Sequence, residues 1–182
     1  MPELNVICRS TPLARAAWIG PVLCMTLATA CGGASFQDGV YQGEHARYRV
    51  GPLDRSWHRV TVDGNDLAFH RAGTGTISVN ATCTEYEDVP ATALVNHLLF
   101  ETTERNFLLE EVVTLDGRGA RHVLVQAALD GVPLELELFV LKKDGCVFDL
   151  SNIRERNAPP EVQATFLAFV QRFAVLDVNL ND

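Results

Sequence analysis

Residues 129–150 read LDGVPLELELFVLKKDGCVFDL and combine two Asp-Gly turn signals with apolar residues at alternate positions. Asp-Gly readily supplies the positive φ angles of a two-residue hairpin turn, so Asp130-Gly131 and Asp144-Gly145 each predict a reversal between antiparallel strands. Each strand has its own predicted inward face, which comprises Val132, Leu134, Leu136, Leu138 and Val140 in the first strand and Cys146, Phe148 and Leu150 in the second. Glu135 and Glu137 are expected on the outward face. This segment therefore predicts a meander within an antiparallel sheet.

Strands with the same two-residue period precede this segment. They are predicted at 57–62, 67–71, 76–83, 107–115 and 121–129. A two-residue turn at Gly64-Asn65 predicts the register of the first hairpin. Its buried face then comprises Val60, Val62, Leu67 and Phe69. The same register places His58 and His70 on opposite faces, which argues against a metal site between them.

Two segments have helical spacing instead. The first begins at Asp88 and Pro90 and extends to about Glu104, with its apolar positions at Ala91, Leu94, Val95, Leu98 and Leu99. The second begins at Pro159-Pro160, and its apolar stripe comprises Val162, Phe166, Phe169, Val170 and Phe173. The element order predicts one α+β domain over 47–176, in which two main helices pack on a single antiparallel sheet of about six to eight strands. Residues 177–182 are predicted to be a loose tail.

The N-terminal segment has the pattern of an export signal. Arg9 and Arg15 precede an apolar run of about fifteen residues, which is too short to span a bilayer. The run ends in Leu27-Ala28-Thr29-Ala30-Cys31, which resembles the signal of bacterial lipoproteins, although that family usually has Leu, Val or Ile where Ala28 stands. The resemblance implies a signal peptide at 1–30 and acylation of Cys31. The alternative is an ordinary secretory signal cut after Ala30.

An acylated Cys31 predicts the location of the protein. We expect it to be anchored to the lipid bilayer of the cell envelope, facing the periplasm. Gly32 follows the cysteine where some inner-membrane lipoproteins have Asp, which favours the outer membrane over the inner. Residues 31–46 are rich in Gly, Ser, Gln and Asp and predict a lipidated flexible tether.

The net charge of the chain indicates which partners to exclude, and its cysteine count predicts a disulfide. Removing residues 1–30 leaves 13 basic and 22 acidic residues, so the remaining charge of −9 argues against nucleic acid as a partner. Cys83 and Cys146 are the pair left beside Cys31 after Cys8 and Cys24 depart with the signal. An oxidising compartment favours a disulfide between them. Two buried, unpaired thiols are the alternative.

One stretch is basic within this acidic chain. It contains Arg47, Arg49, Arg55, Arg59 and Arg71. Because it follows the predicted tether, it is a candidate membrane-proximal basic face that contacts anionic head groups. The alternative is a solvated hairpin, since Asp54, Asp63 and Asp66 lie among the arginines.

No catalytic signature accompanies these features. The sequence has no Gly-x-Ser-x-Gly, His-Glu-x-x-His or phosphate-loop pattern. Glu135 and Glu137 form a carboxylate pair, but nothing nearby in sequence makes their environments differ as acid–base catalysis requires. We therefore predict no metal, no cofactor and no enzymatic activity.

Tyr48-Arg49-Val50-Gly51-Pro52, followed by Trp57, a hairpin, a helix, a strand meander and a closing helix, resembles the PsbP-like superfamily over about 45–175. That group includes a photosystem II extrinsic subunit, a Ran-binding nuclear protein and small bacterial lipoproteins. The resemblance implies an antiparallel sheet between helices and a non-enzymatic role, because those relatives mostly bind other proteins.

The leading hypothesis is thus a lipoprotein that binds or scaffolds another envelope protein. The alternative is a small-ligand carrier or envelope enzyme that uses a cleft between the sheet and the helices. A deep pocket that gathers His70, His122 or several acids would favour this alternative.

Overall fold

A computed structural model describes residues 33–83 and 89–180 of the 182-residue chain. The predicted signal peptide and Cys31 lie outside the described residues. In chain order the elements are β1 (Ser35–Gln37), β2 (Val40–Gln42), β3 (Ala46–Arg49), β4 (His58–Val60), β5 (Leu67–Arg71), β6 (Gly75–Cys83), α1 (Ala91–Leu98), β7 (Thr102–Leu115), β8 (Arg118–Leu129), β9 (Val132–Lys143), β10 (Cys146–Glu155), α2 (Pro160–Gln171) and β11 (Ala174–Val178).

The main sheet has seven strands in the order β4-β5-β6-β10-β9-β8-β7, and all neighbours are antiparallel. It consists of two meanders joined where β10 pairs with β6. The predicted α+β class and the meander are confirmed. The single sheet was wrong, because β1, β2, β3 and β11 form a second sheet of four strands.

Asp-Gly pairs make the tight turns of both sheets. Asp130 and Gly131 have φ angles of 51° and 79°, and Asp144 and Gly145 have 52° and 79°. Each pair connects strands whose flanking residues are direct partners, as a two-residue hairpin turn requires. Both turns predicted from residues 129–150 are therefore confirmed.

The second sheet lies where the sequence predicts a flexible tether. Asp38-Gly39 is a further hairpin turn, with φ angles of 51° and 77°, and it pairs β1 with β2. Tyr41 and Tyr48 are 4% and 0% exposed, and their rings stack with centroids 4.8 Å apart. The tether prediction was wrong from Ser35 onward, because Tyr41 and Tyr48 are buried in the hydrophobic core of the domain. The loose tail was wrong at 177–178, which belong to β11.

The main sheet is covered on both faces. On one face, Leu94, Val95 and Leu99 pack on apolar residues of β8 and β9. On the other, α2 and the second sheet enclose a larger core, and the whole predicted stripe of α2 is buried within it. Phe166 and Phe169 are fully buried, and burial of one such ring stabilises the fold by about 1.5–3 kcal/mol.

Helix α1 ends at Leu98, not near Glu104 as predicted. The Thr102 hydroxyl donates to the Leu99 carbonyl at 2.7 Å. The Arg105 guanidinium also donates to the Leu99 carbonyl, and its Nε donates to Thr102 Oγ1 at 2.9 Å. These side chains satisfy carbonyl groups that a continuing helix would have used, so the chain leaves the helix and begins β7.

Candidate functional site

Cys83 and Cys146 form a disulfide. They are direct partners on β6 and β10, with Sγ atoms 2.10 Å and Cα atoms 4.1 Å apart. The predicted pairing is present in the structure, and the bridge joins the ends of two adjacent central strands.

His58 and His70 are direct partners across the β4–β5 hairpin, so they share a face. The predicted register was wrong by one residue. The reason is a turn over 62–65, closed by the Asn65 amide donating to the Val62 carbonyl, with Gly64 at φ 75°. Val62 is consequently exposed, and Ala68 is buried. Both histidines are exposed, and the part of the chain described by the structure holds no cluster of three His, Cys, Asp or Glu side chains suited to a metal.

The five arginines of the predicted basic face occupy several surfaces. Arg47 and Arg49 project from the exposed face of the second sheet, and Arg55 is exposed in the loop after it. Arg59 lies over the Phe36 ring, 5.9 Å from its centroid, where the two sheets meet. Arg71 is half-buried at the end of β5.

A buried ionic network occupies the α2-side face of the main sheet. Glu137 on β9 is fully buried, and Glu135 is mostly buried, so the prediction that both face outward was wrong. Arg154 on β10 donates from Nη1 to Glu137 at 2.9 Å and from Nη2 to Glu135 at 2.6 Å. The glutamates can face inward because α2 covers this side and because Arg154 forms an ion pair with each of them.

His122 completes the network from β8. Its Nε2 lies 3.0 Å from Glu137 Oε1, its Nδ1 lies 3.0 Å from Glu111 Oε1, and its ring stacks on Phe139 with centroids 4.0 Å apart. Gln163 of α2 donates to the same Glu137 oxygen at 3.2 Å. The network therefore joins four strands of the sheet, β7 to β10, to α2.

Opposing effects determine the charges in this network. Burial lowers the pKa of His122, but hydrogen bonds to Glu137 and Glu111 outweigh it and raise the pKa above the ordinary value. Burial raises the pKa of Glu137, but the bonds from His122, Arg154 and Gln163 outweigh it and leave the pKa lowered. An imidazolium between two carboxylates has no ring nitrogen left for a substrate. This geometry suits a structural role better than general acid–base catalysis.

The sequence analysis named His122 only as a potential cleft residue and did not identify Arg154. It ended the last predicted strand at Leu150, whereas β10 continues to Glu155. The two-residue alternation of this strand continues through Asn152 to Arg154. This continuation was the signal in the sequence that could have identified Arg154 as a residue of the strand.

The edge strand β7 is the most exposed strand of the main sheet. It is fourteen residues long, and within the described residues it pairs only with β8. Six of the nine large apolar side chains exposed in residues 33–83 and 89–180 lie within fifteen consecutive positions here. They form what we call the β7 surface, which comprises Leu98, Phe100, Phe107, Leu108, Leu109 and Val112. Long apolar edges of this kind are templates for another strand.

No helix within the described ranges is long and apolar enough to cross a membrane.

Comparison with known proteins identifies the fold. No protein-family model and no curated protein matches the chain. The solved structures that are similar to it include the following two. The solution structure of cyanobacterial PsbP (CyanoP) from Synechocystis sp. PCC 6803 covers 82% of this chain and 99% of its own, with 15% identity and a TM-score of 0.53. The crystal structure of LpqN, involved in cell envelope biogenesis of Mycobacterium tuberculosis, covers 74% and 87%, with 11% identity and a TM-score of 0.51. The described residues, 33–83 and 89–180, therefore have a PsbP-like α+β fold.

Proposed function

We propose that the protein is an envelope lipoprotein, anchored through acylated Cys31, whose β7 surface binds an extended segment of another envelope protein. The unpaired outer edge of β7, with its exposed apolar side chains, is the observation that carries this proposal. The role of LpqN in cell envelope biogenesis supports the proposed location. The proposed role is non-enzymatic, because both ring nitrogens of His122, the most buried histidine in the described ranges, are occupied.

The start of β1 supports a close approach to the bilayer. Only residues 32–34 separate Cys31 from Ser35, and this connection reaches at most about 14 Å when fully extended. An acylated Cys31 would therefore hold the second sheet against the head groups.

The position of Arg47 supports a basic contact with those head groups. A single row crosses the exposed face of the second sheet and contains Ser35, Gln42, Arg47 and Asp177. Arg47 thus lies two strands, or about 10 Å, from the residue nearest the anchor. Arg49 lies in the row at the far end of the strand. We accordingly assign the membrane-proximal contact to Arg47 first among the five arginines.

A partner strand at β7 would satisfy backbone groups and cover apolar side chains at once. Main-chain hydrogen bonds supply affinity in strand addition, while side chains at alternate positions supply specificity. Glu110 and Glu111 lie in the middle of β7. Each bonds to a β8 side chain, Arg121 or His122, but they remain 39% and 46% exposed, which favours a partner segment that carries Lys or Arg beside its apolar residues. The acidic character of the chain opposes a second copy as the occupant.

Site-specific photocrosslinking in the native host tests the binding surface. A photoreactive residue at Leu108 should give a discrete adduct, and one at Val132, which is slightly more exposed but lies at a hairpin end, should not. The partner identified by mass spectrometry is then purified, and its affinity is measured for the wild type, Val112→Lys and the control Val132→Lys. We expect at least tenfold weaker binding for Val112→Lys only. Equal adducts at both sites, or an adduct only with a second copy, would contradict the proposal.

Intact mass tests the anchor separately. The purified protein should carry acyl chains on an N-terminal Cys31, and an unmodified cysteine there would refute lipidation. Vesicle flotation of the acylated protein tests the basic contact: Arg47→Gln should weaken binding to anionic vesicles more than Arg55→Gln does.

A further inference from the structure

A cleft lies between α1 and the face of the main sheet that α1 covers. Its volume is about 230 Å³, smaller than the pockets that hold drug-sized ligands. One side is apolar, with Leu94 and Leu98 from α1 and Val140 and Val147 from the sheet. The other side is polar and includes Asn65, Asn80, Thr82, His97 and Asp149. An apolar wall that faces a few convergent polar groups is the usual composition of a small-molecule site.

Asp149 is the unusual group in this cleft. It lies on β10 directly between Asn80 of β6 and Val140 of β9. Its Oδ1 is buried and has no hydrogen-bond partner among the described residues. The pKa of the Asp149 carboxyl is raised to about 7, chiefly by burial and also by the nearby Asp66 carboxylate, while hydrogen bonds from the backbone of Asp149 and from the Asn80 side chain oppose the shift. An unsatisfied buried acceptor in a native structure needs an explanation, and a missing ligand is one.

Among the described residues, no Lys or Arg lines the cleft around Asp149. Lys142 follows Val140 on the same face of β9, but its Nζ donates to the Val89 carbonyl at 3.1 Å. The charged form of Asp149 is therefore without an opposite charge in the cleft, although one placed there would stabilise it.

We propose that this cleft binds a small organic cation, an ammonium group on a short aliphatic body, with the ammonium at Asp149 and the body against Leu94, Leu98 and Val147. The ammonium donates to the unpartnered Oδ1, and the Asn80 side-chain oxygen is a second acceptor within the same polar wall. The aliphatic body replaces water along the apolar wall. This site shares only Leu98 with the β7 surface, and it does not depend on the membrane anchor.

The proposed site predicts that affinity depends on pH. The cation binds the ionised carboxylate, so affinity should rise as the pH passes upward through about 7. The titratable and charged groups that face Asp149 are His97 from α1, Asp66 beyond β5 and Lys142 from β9. The Asp149→Asn variant should lose the pH dependence, and this assigns it to Asp149 rather than to these neighbours.

Isothermal titration calorimetry with n-hexylammonium on the folded protein tests the proposal. Asp149→Asn should bind at least tenfold more weakly at a pH of about 8, where the wild-type carboxylate is ionised. The matched control Asp130→Asn changes an exposed acid in the β8–β9 turn and should bind like the wild type. The uncharged analogue 1-hexanol should not distinguish Asp149→Asn from the wild type.

A second variant keeps the test decisive if Asp149→Asn does not fold. Leu98 is 38% exposed at the rim of the cleft, so the Leu98→Lys variant should fold. Its added positive charge should weaken the binding of n-hexylammonium at least tenfold. Methyl chemical shifts of Leu94, Val140 and Val147 should move with hexylammonium in the wild type. Absence of heat and of these shifts would overturn the proposal, and so would equal affinity in Asp149→Asn. Tighter binding of hexanoate than of hexylammonium would also overturn it.

Discussion

Glu137→Gln should strongly destabilise the protein by disrupting the buried network. The Glu137 side chain is fully buried, and its two oxygens accept from His122, Gln163 and Arg154. The substitution keeps the volume but leaves the Arg154 charge buried with only Glu135 as its counter-ion. Breaking one partner of a buried pair costs about 3–5 kcal/mol. We expect the lower end, about 3 kcal/mol, because Arg154 retains Glu135 and His122 retains Glu111.

This cost is a large share of the total stability of a domain of this size, which is typically about 5–15 kcal/mol. At about 2–4 °C per kcal/mol, the melting temperature should fall by about 6–12 °C. Urea unfolding measures the change in the free energy of unfolding directly, provided that the wild type and the variant have the same m value, the slope of that free energy against urea concentration. The matched control is Glu110→Gln, since Glu110 is 39% exposed and bonded only to Arg121. It should cost less than about 1 kcal/mol. A cost for Glu137→Gln no larger than the control's would refute the proposed strength of the network.

The same network predicts how stability depends on pH. The pKa of Glu137 is lowered on folding, so its contribution is present above its ordinary value of 4.5 and is lost as the pH falls through the folded value. The pKa of His122 is raised, so its contribution is present below 6.5 and is lost as the pH rises through the folded value. The stabilisation by the network should therefore be greatest between pH 4.5 and 6.5. The difference in free energy of unfolding between the wild type and Glu137→Gln should be largest there, and a difference that is flat with pH would contradict this assignment.

Other changes test the rest of the domain. The double variant Cys83→Ser/Cys146→Ser opens a loop with a sequence separation of 63, and urea unfolding should show a loss of about 4 kcal/mol by loop-closure entropy; a loss under about 1 kcal/mol would contradict it. Phe166→Ala removes a fully buried ring and should cost about 3–5 kcal/mol, whereas Phe100→Ala, at 80% exposure, should stay within about 0.5 kcal/mol. Asp149→Asn removes a carboxyl whose pKa is raised on folding, so calorimetric melting should show a gain in stability above pH 7 and little change below 3.8.

The turn chemistry and the apolar periods of this sequence were enough to predict one layer of the fold. Asp130-Gly131 and Asp144-Gly145 fixed the loop lengths of their hairpins, and the stripe of α2 identified its buried face. The register of the β4–β5 hairpin was predicted wrongly because its turn contains an odd number of residues. Gly64 fits a two-residue loop or a three-residue loop, and the loop length determines which face of the sheet His58 occupies. Local pattern could not distinguish the two, since only packing of the whole hairpin selects the register.

The remaining errors arise where a second layer covers the first. A strand in which apolar and polar residues alternate is predicted to have one solvent-exposed face, so Glu137 was expected to be exposed to solvent. The four-stranded sheet and α2 bury that face, and Arg154 and His122, distant in sequence, make the burial of a carboxylate tolerable. The charge partners of Glu137 are set by tertiary pairing of β8, β9 and β10, and no spacing within one strand encodes that pairing.

The same two-layer arrangement explains why β7 stays open. The seven strands of the main sheet span about 29 Å from first to last at a spacing of about 4.8 Å. Helix α1 has eight residues, is about 12 Å long and packs on β8 and β9. On the other face, α2 packs on β10, and the second sheet extends the cover toward β5 and β6. A helix about 10 Å wide covers roughly two strands, so neither layer reaches the far edge. A free-standing domain would be expected to shorten that edge or place charges along it. β7 does carry charges at Glu110 and Glu111, but it is among the longest strands described and leaves Phe107, Leu108 and Leu109 exposed. This excess of uncovered apolar edge favours a third layer contributed by another chain.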